Sequence, residues 1–383
     1  MRINKTALAV VTAATLSLTA CGGGSSSGSG DTGSGGGADG QAKVDAAQKV
    51  IDAAKAVPTT EDLGAAIDVA SLKGKTIYSI PIDSKAEFYT AGEKAMKEVA
   101  AKAGVNFVTF PSDGSQTSYQ QGISQAINAK AGAILLNGPL PTTLGPQIDA
   151  ANKAGIPVIP LHLTDKDSPS ADGIEYEAFA PFNEAAKLMA LDAVVGAKGE
   201  AVHALIIQSS ETGPAKGMVE TMEKTLSDDA PSGSKATVVN VAVPQWSTQI
   251  QGQVQSALLK DPKINAVLPI YDSMALYAIP GIKQAASNRE VPIYSFNGTP
   301  SILKLVQDGS VAMDVAENPD WVAYVNIDTA FRAMLGADPI AKASGPLRVI
   351  DSSNVADTGN PPESGKGFGD EYQGAFLKVW GLS

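Results

Sequence analysis

Cysteine, histidine and basic charge are all scarce in this chain, and each scarcity closes off a class of function. One cysteine in 383 residues excludes an internal disulfide. With only His162 and His203 beside it, a Cys/His metal site is excluded on count, and no cofactor is expected. Lysine and arginine number 29 against 40 aspartates and glutamates, a net charge of −11. Nucleic acid is therefore not an expected partner, because binding to a phosphate backbone draws its affinity from a basic surface. A Gly-x-Ser-x-Gly elbow, a His-Glu-x-x-His helix and a glycine-rich phosphate loop are also missing. What the composition does contain, 44% hydrophobic and 18% charged residues, fits a globular α/β protein and excludes a coiled coil or a disordered chain. At this length two or three domains are expected.

The N-terminus has the pattern of an export signal. Arg2 and Lys5 precede an uncharged, mostly apolar run from Thr6 to Ala20, too short to span a bilayer as a helix. The run ends in Leu18-Thr19-Ala20-Cys21, which resembles the lipobox of bacterial lipoproteins. That resemblance implies cleavage of residues 1–20 and lipid attachment at the Cys21 thiol; the alternative is an ordinary buried cysteine at a helix edge. Residues 21–40 are mostly Gly and Ser and read as a flexible tether. The expected location is the extracytoplasmic face of the cell membrane, with a lipid-anchored body.

Residues 41–73 read as a short amphipathic leader helix over Gln41 to Lys55, stopped by Pro58, and a linker. From Lys75 onward, short apolar runs alternate with helical patterns, the signature of βαβ units and a mainly parallel sheet. Strands are predicted at 76–82, 105–110, 133–137 and 156–161, and again at 204–208, 237–243, 266–270 and 291–296. Two similar α/β halves follow. Ligands of open α/β sheets collect at the carboxyl ends of strands, so a cleft between two such halves is where chemistry is expected.

Several strand ends then point to one family. Ala154-Gly155-Ile156-Pro157-Val158, Tyr271-Asp272-Ser273-Met274-Ala275-Leu276, Ser295-Phe296-Asn297-Gly298-Thr299-Pro300 and Val306-Gln307-Asp308-Gly309 occur in an order and spacing that resembles the type I periplasmic binding proteins. The likeness is to the ribose-type group that feeds sugar ABC importers, over about Gly74 to Leu347. It implies two doubly wound Rossmann-like lobes, 74–179 plus 318–345 and 180–317 plus 346–383. Three hinge segments would join them, near Glu177 to Pro181, Glu317 to Asn318 and Gly345 to Val349, and the lobes would close on solute.

Carried over by position, the resemblance places ten residues in the cleft. Phe88 and Tyr89 stand where the family stacks aromatics on a sugar ring, though both could simply pack on their helix. His162-Leu163 replaces an Asp-Arg clamp, Phe182 replaces an asparagine and Lys216 an arginine. Lys216 could equally be a solvated helix face. Trp246 is a ring platform or a lobe cap. Tyr271 replaces an asparagine, while Asp272 matches a family aspartate and could also cap a helix. Asn297 replaces an aspartate and Glu317 a glutamine. The exchanges favour aromatic and apolar groups over fixed hydroxyl clamps, so the implied solute is sugar-like but less hydroxylated, or partly apolar.

The resemblance further implies a binding protein, not an enzyme, acting as a monomer with a membrane permease and an ATPase as partners. Two alternatives remain: the same fold presenting ligand to a membrane sensor, and an anchored hydrolase using His162 as base.

Overall fold

The computed structural model describes residues 35–60, 62–170, 174–363 and 365–382. Cys21, the expected signal peptide and most of the expected tether lie outside the described residues. The chain opens with α1 (Gly35–Ala54). It then runs through a first set of alternating elements: β1 (Thr76–Pro81), α2 (Glu87–Lys102), β2 (Asn106–Thr109), α3 (Gln116–Asn128), β3 (Ala133–Asn137), α4 (Gly145–Lys153), β4 (Val158–Asp165) and β5 (Ala178–Ala180). A second set follows: α5 (Phe182–Gly196), β6 (His203–Gln208), α6 (Ala215–Asp229), β7 (Lys235–Asn240), α7 (Trp246–Lys260), β8 (Ala266–Pro269), α8 (Ala275–Ala285), β9 (Tyr294–Asn297), α9 (Pro300–Gln307) and β10 (Met313–Glu317). The chain ends in α10 (Pro319–Leu335), β11 (Leu347–Asp351) and α11 (Glu371–Val379).

The strands sort into two layers. β2-β1-β3-β4-β5 form one all-parallel sheet. In the other, β7-β6-β8 and β9-β10-β11 meet where Val267 pairs with Ile293, and β11 is the one antiparallel strand. Near-continuous apolar strands such as β3, buried at every position, are what a parallel sheet with helices on both faces requires. This is the periplasmic binding protein type I fold, with two Rossmann-like lobes.

The chain passes between the lobes after β5, between β10 and α10, and between α10 and β11. The second passage is fixed by local chemistry. Asn318 accepts hydrogen bonds from the Asp320 and Trp321 amides, Pro319 opens the helix, and Gly336 closes it in the left-handed conformation at φ 64°. α10 packs against α2 of the first lobe and is buried nearly all round.

Two expectations are corrected here. The last residues assigned to the tether, 35–40, form the first turns of α1, and Gly40 is buried: a Cβ there would lie 2.5 Å from the Gly199 carbonyl oxygen, so this glycine is needed for close contact with the second lobe. Nor does all of 346–383 belong with the second lobe. α11 packs on α10, where the Trp380 indole donates to Asp328 at 2.7 Å and its ring stacks on Tyr324.

The segment from Lys55 to Leu72 also passes from lobe to lobe. Lys55 pairs with Asp351 at 2.7 Å and its carbonyl accepts from Arg348, both on β11. Further on, Arg332 of α10 donates to the Leu63 and Ala65 carbonyls, and the Ile67 amide donates to Val379.

Candidate functional site

Between the two lobes lies a cavity of about 370 Å³, at the carboxyl ends of strands from both sheets. The first lobe supplies Phe88 and Tyr89 from the first turn of α2, and His162-Leu163 from β4. The second supplies Trp246 from the start of α7, Tyr271 from the segment after β8 and Asn297 from the last position of β9. Six of the ten residues expected in the cleft thus come together on its wall: Phe88, Tyr89, His162, Trp246, Tyr271 and Asn297.

The lobes touch across the mouth. The Ser301 hydroxyl donates to Glu87 at 2.7 Å, and Gly213 sits so near β4 that a Cβ would lie 2.9 Å from the Leu163 carbonyl oxygen. Two wall residues hold left-handed backbone without being glycine, His162 at φ 54° and Asn297 at φ 146°. Such conformations cost about 1–3 kcal/mol each and concentrate at functional sites. One comes from each lobe, and they face the same cavity.

The aromatic walls present rings more than polar atoms. The Trp246 indole N–H is spent on Ser209 Oγ at 2.8 Å and the Val241 carbonyl at 3.2 Å, and its ring centroid lies 6.0 Å from that of Tyr271. Tyr271 is itself hydrogen-bonded to Thr212. Burial pushes the Tyr89 and Tyr271 phenols well above their ordinary range, so both are neutral. Phe88 meets Tyr89 edge-on at 5.4 Å and lies 5.0 Å from the His162 ring.

The remaining four expected residues lie elsewhere. Glu317 is buried behind the wall, where its Oε2 meets His162 Nε2 at 2.7 Å while Oε1 has no partner. Phe182 is fully buried beneath His162, edge-on at 4.8 Å; an aromatic ring opening α5 fills the space under the imidazole and does not reach the cavity. Lys216 is on the solvent face of α6, its side chain 85% exposed and 3.8 Å from Glu220 a turn away, which is the solvated-face alternative. Asp272 is fully buried and does not cap its own helix; its Oδ2 accepts from the Thr299 amide at 2.8 Å. Asp314 acts in parallel, accepting from Ser295 Oγ and the Gly298 amide. Together the two carboxylates brace the turn that carries Asn297 and Thr299.

Burial holds both of those acids above the ordinary carboxylate range, Asp314 to about 6, and the charge of Asp314 adds to the effect on Asp272. Sequence reasoning missed Thr299, Gly213 and Tyr277 on the wall. Thr299 was accessible, lying in the same Asn-Gly-Thr-Pro turn as Asn297; Tyr277 follows Asp272 by five residues and carries no local signal.

A second cavity of about 380 Å³ lies behind the hinge, between the Leu63 region, α10 and the 340–347 passage. Lys166 and Pro181, which follow β4 and β5, form part of its wall, and none of the unpartnered buried side-chain polar atoms found among the described residues belongs to its lining.

A family model described as periplasmic binding protein domain matches residues 77–338. The chain belongs to this family. Among curated family relatives, the ribose import binding protein of Escherichia coli is 25% identical over 75% of this chain and 94% of its own length. The xylitol-binding protein of Mycolicibacterium smegmatis is 23% identical over 62% of this chain and 64% of its own. Among solved family structures, a glucose-galactose binding protein from Geobacillus stearothermophilus superposes with TM-score 0.65 at 19% identity, covering 74% of this chain and 99% of that one. A 5-methylthioribose transporter solute binding protein from Thermotoga lettingae does so with TM-score 0.65 at 17% identity, covering 81% and 93%. The family is one of sugar-binding transport proteins and not of enzymes. The hydrolase alternative therefore falls. Among the described residues no helix is long and apolar enough to cross a membrane.

Proposed function

We propose that this member of the sugar-binding ABC importer family is an extracytoplasmic lipoprotein, attached through Cys21, that closes its two lobes on a small sugar-like or partly apolar solute. The observation that carries the reading is the cleft itself, an inter-lobe cavity walled by rings from both sheets and already bridged at its mouth by Glu87 and Ser301. The lobes comprise 74–179 with 318–345 and 180–317 with the strand that follows, α11 going with the first by its packing. Phe88, Tyr89, His162, Trp246, Tyr271 and Asn297 contact solute. Glu317, Phe182 and Asp272 hold those residues in place. A permease and an ATPase take up the closed form, and the binding protein itself works as a monomer. The curated and structural relatives named for ribose, xylitol, glucose-galactose and 5-methylthioribose support a solute of this size.

The test is a melting-temperature and tryptophan-fluorescence screen of the purified chain against sugars, polyols, amines and aromatics. A ligand that stabilises the chain as mass action requires is the expected result. A chain that shifts with nothing, while remaining folded, overturns the reading. For the anchor, Cys21→Ala is expected to move the protein from the membrane fraction to the soluble one, and an unchanged distribution sinks the lipid attachment.

A further inference from the structure

We infer that Glu93 is a positioning residue of the cleft: by three hydrogen bonds to the strands beneath it, it holds the first turn of α2 so that Tyr89, and with it Phe88, stands at the wall. The inference rests on the reading that these two rings contact solute. It starts from a buried acid that the cleft does not use. Glu93 is 6% exposed and does not line the cavity. Its partners are neutral. The Ser79 hydroxyl of β1 and the Asn137 amide of β3 donate to Oε1 at 2.7 and 3.0 Å, and the Thr109 hydroxyl of β2 donates to Oε2 at 2.8 Å. β2, β1 and β3 are neighbours in the sheet, so one carboxylate ties three strands together near their carboxyl ends.

These bonds sit where α2 needs an anchor. Ala86, which precedes the helix, makes no side-chain capping bond, and Glu93 is the first buried residue of α2, ahead of Ala95, Met96, Val99 and Ala100. Apolar burial therefore fixes the body of the helix and leaves its ring-bearing first turn to Glu93. Tyr89 and Glu93 are four positions apart, on one face of the helix. They meet successive residues of the same strand end: Glu93 accepts from Asn137, and Tyr89 lies against Gly138, where a Cβ would come within 2.9 Å of the phenol oxygen. Displacing the turn would strip donors from a buried carboxylate, which costs more than losing the same contacts at the surface. The arrangement asks for hydrogen bonds and not for charge. An amide at position 93 can offer its oxygen to Ser79 and Asn137 and its N–H to Thr109, whose hydroxyl can turn to accept; a methionine of similar length can do neither.

The full chain labelled with 3-fluorotyrosine tests this without a ligand, Tyr89→Phe identifying the fluorine resonance of position 89 among its nine tyrosines. Glu93→Met should broaden that resonance or move it toward free 3-fluorotyrosine, with the Tyr176 and Tyr294 resonances, one from each lobe, in place. Glu93→Gln should leave it where it is. If Glu93→Met does not fold, Thr109→Val, at an exposed position of β2, removes one of the three bonds and should move the resonance the same way by less. Calorimetry with D-ribose, xylitol, D-galactose and 5-methylthioribose supplies a second readout. For a probe that binds the parent chain, Glu93→Met should weaken affinity about tenfold and Glu93→Gln less than about threefold. In a Tyr89→Ala chain, Glu93→Met should cost less than about threefold further. A Tyr89 resonance unmoved by Glu93→Met, or by Thr109→Val in its stead, overturns the inference. So does a Glu93→Gln chain that behaves like Glu93→Met, or a loss of affinity that adds in full to that of Tyr89→Ala. A moved resonance in a chain that none of the probes binds upholds the positioning of Tyr89 and counts against the solute reading alone.

Discussion

Removing the imidazole of His162 should cost more stability than any other single change at the cleft. The His162 and Glu317 side chains are 7% and 1% exposed and meet at 2.7 Å, and the second Glu317 oxygen has no partner. In His162→Leu the carboxylate keeps its burial and loses its one hydrogen bond, and uncompensated charges of this kind destabilise by about 3–5 kcal/mol. Leucine at φ 54° adds roughly 1 kcal/mol of backbone strain. Glu317→Gln keeps an acceptor for the imidazole and should cost only about 1 kcal/mol. The informative variant is the double one, His162→Leu with Glu317→Leu. Replacing both members of a buried pair with apolar groups is often close to neutral, so the double variant should be more stable than His162→Leu alone by about 2 kcal/mol or more. The strain at position 162 is common to the single and double variants and cancels in the comparison. Urea denaturation followed by circular dichroism, with the slope checked for constancy, gives the four corners of the cycle: the parent chain, His162→Leu, Glu317→Leu and the double variant. A coupling energy near zero would refute the reasoning, because it would mean that the 2.7 Å contact does not decide the environment of Glu317.

Three further outcomes are expected. Asp192, on α5 beside Lys55 and Asp351, is pushed up to about 7 from 3.8, first by burial and then by the charge of Asp351. The folded chain therefore keeps this proton to higher pH than the unfolded one, and the associated stability is present below about pH 4 and is lost as pH rises toward 7. Because the side chain is only partly buried, Asp192→Asn should recover about 2 kcal/mol at neutral pH and flatten that stretch of the stability profile; an unchanged profile in urea melts contradicts it. Trp246 is the one tryptophan on the cleft wall, Trp321 and Trp380 lying around α10, so Trp246→Phe should abolish ligand-induced fluorescence change while calorimetric binding persists; a retained signal would place the responding tryptophan elsewhere. Trp380→Ala should destabilise by about 3–5 kcal/mol, since it empties a fully buried site and strips a hydrogen bond from Asp328, and a loss below about 1 kcal/mol in urea melts would show that α11 is dispensable to α10.

The fold was readable because its signals are local. Each predicted strand overlaps an observed one, and the apolar runs separated by helical stripes leave few alternatives to parallel sheets. Residues whose surroundings come from distant parts of the chain were harder. Phe182 and Lys216 carry the residue types of a pocket, yet what decides their exposure is the packing of α5 under His162 and the outward face of α6. Glu317 and Asp272 lie behind the wall and not on it, and a carboxylate at a strand end looks the same in sequence whether it lines a cavity or braces its wall. α10 was not predicted. Its burial by the sheet, α2 and α11 removes the polar stripe by which an amphipathic helix is recognised. The glycines at the end of the expected tether misled for a related reason: Gly40 signals flexibility in composition, while its role is the close approach to Gly199.

The segment after α1 changes how the hinge should be understood. α1 goes with the second lobe: Gly40 abuts Gly199, the Lys43 ammonium donates to the Asp228 carbonyl, and Lys55 pairs with Asp351. From Leu63 the chain is bound to the first lobe through Arg332, and at Ile67 through Val379. The stretch between those anchors is mostly exposed. It is therefore a fourth connection between the lobes. α1 thus stays with the second lobe, and the chain from Leu63 onward with the first. Arg332→Ala separates the two roles: it frees the Leu63 and Ala65 carbonyls and weakens the strap on the first lobe, but leaves α1 and its contacts with the second untouched.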